Sequence, residues 1–252
     1  MSIPARRPLS ILATAAAAAL IGALGGCTSA PAPDTRATDR YHSAIASPLR
    51  TDQDRRMDAA RNPAQLLPFV QVQPGMRVLD VSTGGGYTSQ LLALAVGPGG
   101  VLWAQAPQPG ATVTKRLADN PQANFRLVAR SFEDPVPEGA PPLDLITIVL
   151  NYHDIVNLPT DRTKMNARLF AALKPGGKLV VIDHSAKAGS GVADTKTLHR
   201  IDEAIVLAEL RQAGFVLDAS GDFLRNPADT REPSSGDGRI PTDKFALRFV
   251  KP

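Results

Sequence analysis

Met76-Arg77-Val78-Leu79-Asp80-Val81-Ser82-Thr83-Gly84-Gly85-Gly86-Tyr87-Thr88-Ser89-Gln90 joins an apolar run to three glycines and the start of a second apolar segment. Met76, Val78, Leu79 and Val81 read as a buried strand with Asp80 near its end. Tyr87, Leu91, Leu92, Leu94 and Ala95 have spacings that suit a packed helix. Strand, glycine turn and helix together open many nucleotide-binding α/β folds. The glycines let the backbone turn sharply and approach a ligand, because a Cβ would block both.

Asp80, Gly84 and Gly86 resemble the first motif of class I S-adenosylmethionine methyltransferases, an acidic residue followed by Gly-x-Gly-x-Gly. Ser82 departs from it, standing where the family has its first glycine. A dinucleotide-binding Gly-x-Gly-x-x-Gly would need glycines at 82 and 87, where the chain has Ser82 and Tyr87, so a nicotinamide-dependent oxidoreductase is disfavoured.

Outward from this stretch, the pattern predicts six more strands. Val101–Gln105, Asn124–Ala129, Leu143–Leu150, Lys178–His184, Phe215–Ser220 and Thr242–Val250 are the apolar or alternating runs. Leu143–Leu150 is the most apolar run after the N-terminal segment, and suits a central strand of a parallel sheet covered on both faces. Helices are expected over 112–120, 160–173 and 195–213, the last stopping at Gly214. Leu173-Lys174-Pro175-Gly176-Gly177 resembles the turn before the fifth strand of the same methyltransferases. The resemblance covers about residues 62–252. It implies a Rossmann-like, seven-stranded, mostly parallel sheet with helices on both faces and the last strand antiparallel.

It also implies S-adenosyl-L-methionine as cofactor and a set of site positions. Asp80, Ser82, Gly84, Gly85, Gly86 and Asn151 would line the cofactor site. The family places an acidic residue at the end of the second strand to hold the ribose hydroxyls; Gln105 occupies that region here. An amide gives up the charge-assisted bond, worth about 1 kcal/mol more than a neutral one. Glu133 or Asp134 would meet the adenine amino group. Asn151-Tyr152-His153-Asp154 places polar groups at the carboxyl end of the fourth strand, where open α/β sheets bind ligands. His153 is the candidate base beside Asp154, with Tyr152 as wall of the acceptor pocket. His153, Asp154, Asp183 and His184 are conceivable metal ligands, but no short spacing demands an ion and none is expected.

Composition sets the outer bounds. With 252 residues, 43% of them hydrophobic, the chain has material for one sizeable core. Its formal charge is +4, yet once Arg6 and Arg7 are set aside, 26 basic side chains face 24 acidic ones. No run of Lys and Arg stands out, so no nucleic-acid partner is expected. A single cysteine excludes internal disulfides, Cys-based zinc sites and three-cysteine iron–sulfur ligation, and with the last the radical S-adenosylmethionine enzymes.

Residues 1–26 read as an export signal. Arg6 and Arg7 precede an alanine-rich apolar segment, Leu9–Leu24, that is short for a membrane span. Arg6-Arg7-Pro8-Leu9 departs from the twin-arginine pattern at Pro8. Leu24-Gly25-Gly26-Cys27 resembles the bacterial lipoprotein box, which implies a lipidated Cys27, and Thr28 after it resembles lipoproteins of the outer membrane. The implied location is the periplasmic side of the cell envelope, with membrane contact through the lipid alone. Residues 27–46 read as a flexible tether and 47–75 as a helical extension. Its helix, capped by Thr51 or Asp52, carries Arg55, Asp58 and Arg61 and reads as solvated rather than as a cover of the cleft. The expected function is methyl transfer to a small-molecule or envelope acceptor. The alternative is a non-catalytic lipoprotein of the same fold that binds another nucleoside or small ligand.

Overall fold

A computed structural model describes residues 1–2, 35–237 and 241–252. Beyond residues 1–2, the expected export signal, together with Cys27 and the first part of the tether, lies outside the described residues.

Seven strands form one sheet: β1 (Arg77–Val81), β2 (Val101–Ala106), β3 (Phe125–Ala129), β4 (Leu143–Val149), β5 (Leu173–His184), β6 (Val216–Gly221) and β7 (Lys244–Val250). Their order is β3-β2-β1-β4-β5-β7-β6. The first five pair in parallel, while β7 runs antiparallel to both of its neighbours. The chain steps from β1 outward to β3 and then returns to the other side of β1 as β4. Loops diverge at that reversal and leave a crevice at the carboxyl ends of β1 and β4.

Period-2 alternation of the strands supplies two apolar layers. Val78, Leu102, Leu145 and Val180 face one layer, covered by α1 (Thr35–Ala46), α3 (Pro63–Val70), α4 (Tyr87–Val96) and the apolar side of α5 (Ala111–Asp119). Leu79, Val81, Trp103, Ile146 and Ile148 face the other, covered by α6 (Tyr152–Val156), α7 (Arg162–Ala172) and α8 (Glu203–Gln212). β4 is buried on both faces, as its unbroken apolar run requires. No helix among the described residues is long and apolar enough to cross a membrane.

Two expectations are corrected here. Residues 35–46, expected as the end of the tether, form α1; Tyr41 and Ala44 are buried against the sheet layer, and the Tyr41 hydroxyl donates to the Val72 carbonyl at 2.8 Å. Two well-placed apolar side chains outweigh a polar average. The helix expected over 195–213 begins only at Glu203, because the Asp202 side chain accepts from Ala204 N at 3.0 Å and caps it there. Residues 195–202 are turns, and Ile201 bridges to Ser185. The polar residues expected at the carboxyl end of β4 enter the short helix α6, with Asn151 at its N-cap.

The long segment after β6 is pinned by a buried ion pair. Arg200 Nη1 and Nη2 lie 2.8 and 3.2 Å from the Asp229 carboxylate, with side-chain exposures of 1% and 0%. Asp229 also accepts from the backbone N–H groups of Asp243 and Arg231, so the pair ties this segment to the entry of β7. Removing one partner strands a buried charge. Asp229→Ala is therefore expected to lower stability by about 3–5 kcal/mol, as measured by urea unfolding.

Candidate active site

The turn after β1 is held in an unusual backbone state. Ser82, Gly84 and Gly86 have φ of 61°, 55° and 84°, all left-handed. Glycine adopts this region freely, whereas serine is strained there. Ser82 nevertheless keeps the conformation a glycine would have, because two neighbours brace it. Its N–H donates to Gln105 Oε1 at 3.2 Å, and its carbonyl accepts from Asn151 Nδ2 at 3.1 Å. The other end of Gln105 donates to the Arg130 carbonyl at 2.6 Å, and the side chain is fully buried. Both polar groups of Gln105 are thus committed inside the fold, and none faces the cleft.

Above the turn lies a cleft of about 470 Å³, walled by α2 (Asp52–Arg61), the glycine loop and α5. Of the expected cofactor residues, Asp80, Ser82, Gly84, Gly85 and Asn151 line it. Gly86 is the helix-capping position behind it, where a Cβ would come within 3.0 Å of Val113 Cγ2 and 3.1 Å of Arg116 Nε. Glu133 lies away from this cleft. It accepts from Asp161 N at 3.3 Å and pairs with Lys164. Asp134 pairs with Arg130 and Arg168.

The walls carry the Thr51 cap that the sequence led us to expect, and beside it ion pairs that it did not. α2 is capped by Thr51 and Asp54 in a reciprocal box, and the second Asp54 role is structural: Arg116 on α5 grips its carboxylate at 2.7 and 2.8 Å. This pair, with side chains 6% and 1% exposed, closes the cleft at one end. Arg50 grips Asp58, which also accepts from the Tyr87 hydroxyl at 2.7 Å. Arg61 instead stacks on the Tyr87 ring, 5.2 Å from its centroid, and forms no ion pair among the described residues. Burial pushes its guanidinium below its ordinary value, with Tyr87 and Asp80 opposing. The helix expected as solvated thus turns Arg61 into the cleft.

Asp80 forms part of the cleft floor at 2% exposure. Burial pushes its carboxyl up to about 6, against hydrogen bonds from Ser89 and Thr147 and the charge of Arg61. A carboxylate so placed gains from any cation brought into the cleft.

On the other side of Asn151, α6 presents His153, which is 3% exposed. Asp183 at the end of β5 holds it twice, from its ring Nδ1 at 2.6 Å and its backbone N at 2.9 Å. That hydrogen bond assigns the proton to Nδ1 and leaves Nε2 with the free lone pair. Burial lowers the proton affinity of His153, but the hydrogen bond and charge of Asp183 outweigh it and raise its pKa. Asp154 Oδ1 stands 3.3 Å from His153 Nε2 and 3.2 Å from His199 Nδ1. His184 differs in kind: burial and the charge of Lys244 push it down to about 3, and its Nδ1 meets Thr242 Oγ1 at 2.8 Å. Tyr152 faces away, fully buried, with its hydroxyl donating to Glu209 at 2.6 Å and accepting from Asn166.

Comparison with known proteins gives the family and the fold. A family model for protein-L-isoaspartate(D-aspartate) O-methyltransferases matches residues 36–189. The chain belongs to this family. Its cofactor is S-adenosylmethionine. The ubiquinone/menaquinone biosynthesis C-methyltransferase of Bordetella parapertussis is 28% identical over 126 residues, covering 46% of this chain and 44% of that protein. The chain therefore spans less than half the length of that curated relative. A SAM-dependent methyltransferase of Aquifex aeolicus superposes with a TM-score of 0.58 at 18% identity, over 85% of this chain and 98% of that one. A putative methyltransferase in complex with the Haloferax volcanii Trm112 activator gives 0.57 at 18% identity, over the same shares. These likenesses are of fold.

The cleft fits the cofactor. A Cβ built on Gly84 would meet nothing within 4 Å, so this glycine leaves open space on the cleft side. A carboxylate (Asp80) and a guanidinium (Arg61) that forms no ion pair among the described residues share its walls, which suits a ligand carrying both an ammonium and a carboxylate. The Asp54–Arg116 pair holds the wall helix over that space. Asp54→Ala leaves Arg116 buried without its partner. It is expected to cost about 3–5 kcal/mol, and to speed amide exchange across residues 51–62 more than across β4.

Proposed function

We propose that the protein transfers a methyl group from S-adenosylmethionine to a small-molecule or envelope acceptor that reaches the crevice past Asn151. The observation that carries the reading is the cleft at the strand switch point, with Asp80, Arg61 and the open side of Gly84 converging on one space. In this reading Arg61 takes the cofactor carboxylate, Asp80 attracts its ammonium, and the main chain at Gly84 and Gly85 runs beside it. Asn151 keeps the turn in place through Ser82.

Methyl transfer is an in-line displacement for which positioning supplies much of the acceleration. The sulfur–methyl bond breaks as the bond to the acceptor forms, and S-adenosylhomocysteine leaves. An acceptor that arrives protonated gives its proton to His153 Nε2, whose ring Asp183 orients. Asp154 stands at the open rim beside it. Glu133 and Gln105 have no direct part in this reading. Gln105 acts by bracing Ser82, so the ribose is held without the acidic side chain typical of the fold. The family match supports an oxygen acceptor, and an isoaspartyl peptide is the first substrate to assay.

Calorimetry with S-adenosylmethionine tests the reading. Arg61→Met removes a charge-assisted contact worth about 1.5–3 kcal/mol, so affinity is expected to fall roughly 10- to 100-fold. For Asp80 the sign follows from its pKa of about 6. Protonation removes its attraction for the ammonium, so affinity should rise from pH 5 to pH 7 and then level, and Asp80→Asn should flatten that rise. Equal affinity in wild type and Arg61→Met would remove the cofactor from this cleft.

The same reading places the protein at the cell envelope, exported and lipid-anchored through Cys27. It rests on the Leu24–Cys27 box and the lone cysteine. Cys27→Ser is expected to abolish incorporation of labelled fatty acid; continued labelling would refute the anchor.

A further inference from the structure

We propose that His153, Asp154 and His199 form a three-ligand site for a divalent transition-metal ion of the zinc type. One ligand atom from each residue lies within 4.8 Å of the others. Asp154 Oδ1 stands 3.3 Å from His153 Nε2 and 3.2 Å from His199 Nδ1. Bonds of about 2.0–2.1 Å in a tetrahedron put ligand atoms roughly 3.3 Å apart, so these edges already have the length an ion needs. Two imidazoles and one carboxylate suit zinc, cobalt, nickel or iron rather than magnesium or calcium.

Two further features are those of a prepared site. Asp183 sits behind His153, wholly buried, accepting from its Nδ1 and its backbone N. A carboxylate that fixes the far nitrogen of an imidazole is the usual support of a metal-bound histidine. On the facing side, His199 has φ of 53°, strained for a residue with a side chain, and the turn that imposes this brings its ring to 5.6 Å from that of His153. One ligand is locked, with 4% exposure, while Asp154 and His199 are half exposed and can close on an incoming ion. His184 is not part of the set, because its ring nitrogens do not lie within 4.8 Å of all three ligand atoms.

Three protein ligands leave a fourth position open. In the methyltransferase reading that position takes an oxygen, nitrogen or sulfur atom of the acceptor; this last point rests on that reading, whereas the ion site does not. An ion and a proton compete for the one lone pair of His153 Nε2, so a loaded molecule does not use His153 as a base.

The test is titration of tag-free full-length protein with Co²⁺, followed by its visible absorption and by competition with Zn²⁺. The expected result is saturable one-to-one binding with an intense tetrahedral band that Zn²⁺ displaces. His199→Asn keeps a residue tolerant of left-handed φ and should weaken Co²⁺ at least about tenfold, as should Asp154→Asn. Failure of the wild type to bind Co²⁺ at millimolar concentration would overturn the site, and so would binding that both variants retain unchanged. Calorimetry of the same samples with S-adenosylmethionine separates the two readings. Cofactor affinity unchanged by His199→Asn is expected, because His199 does not line the cleft. Co²⁺ bound with no cofactor binding would leave the ion site standing and remove the methyltransferase assignment.

Discussion

Everything at the ligand end of this sheet depends on Ser82 staying in a conformation that serine resists. The turn after β1 must reverse within a few residues to free the cleft and start α4, and it does so through three left-handed residues of which only two are glycines. A strain of about 1–3 kcal/mol persists only where the surroundings over-determine the backbone. Here the surroundings are one amide on β2 and one after β4, each holding one side of the Ser82 peptide groups. The same two contacts fasten the ends of β1, β2 and β4 together, so the shape of the cleft and the alignment of the central strands have one origin.

Around that fixed turn, charge is distributed by a simple division. Carboxylates that hold the framework are paired: Asp54 with Arg116 and Asp58 with Arg50 beside the cleft, Asp229 with Arg200 in the segment after β6. Groups that face the cleft are left incompletely matched, Arg61 on an aromatic ring and Asp80 on two hydroxyls. Paired charges in a low-dielectric wall hold helices in place, while unmatched ones hold free energy that a ligand of opposite charge releases. The His153–Asp183 pair repeats the division on the next strand, with a buried carboxylate on one ring nitrogen while the other lies toward the half-exposed Asp154.

The sheet was legible because its signals are local and strong. Leu143–Val149 and Lys178–His184 admit little but buried strands, and the glycine cluster marks the switch between strand and helix. What was missed depends on contacts that no local pattern encodes. α1 was lost in an Ala-, Thr- and Asp-rich stretch because two buried side chains, Tyr41 and Ala44, decide it. Gln105 resembled a weakened ribose ligand, but its partner is Ser82, 23 residues earlier. His199 was placed in a helix by its apolar neighbours, whereas Asp202 delays that helix and leaves the histidine in a turn beside α6. Arg61 read as solvated from its charged helix, whereas the Tyr87 ring gives it a surface to lie on inside the cleft.

Trp103, the chain's single tryptophan, lies on β2 with its ring in the layer covered by α6, α7 and α8, opposite to the layer that meets Tyr87 and the cleft floor. The molecule is therefore an asymmetric optical object. Its intrinsic emission samples one side of the sheet, and a change in that emission marks a change in the packing on that side. A ligand seated beneath α2 is screened from the indole by the full thickness of the β-sheet.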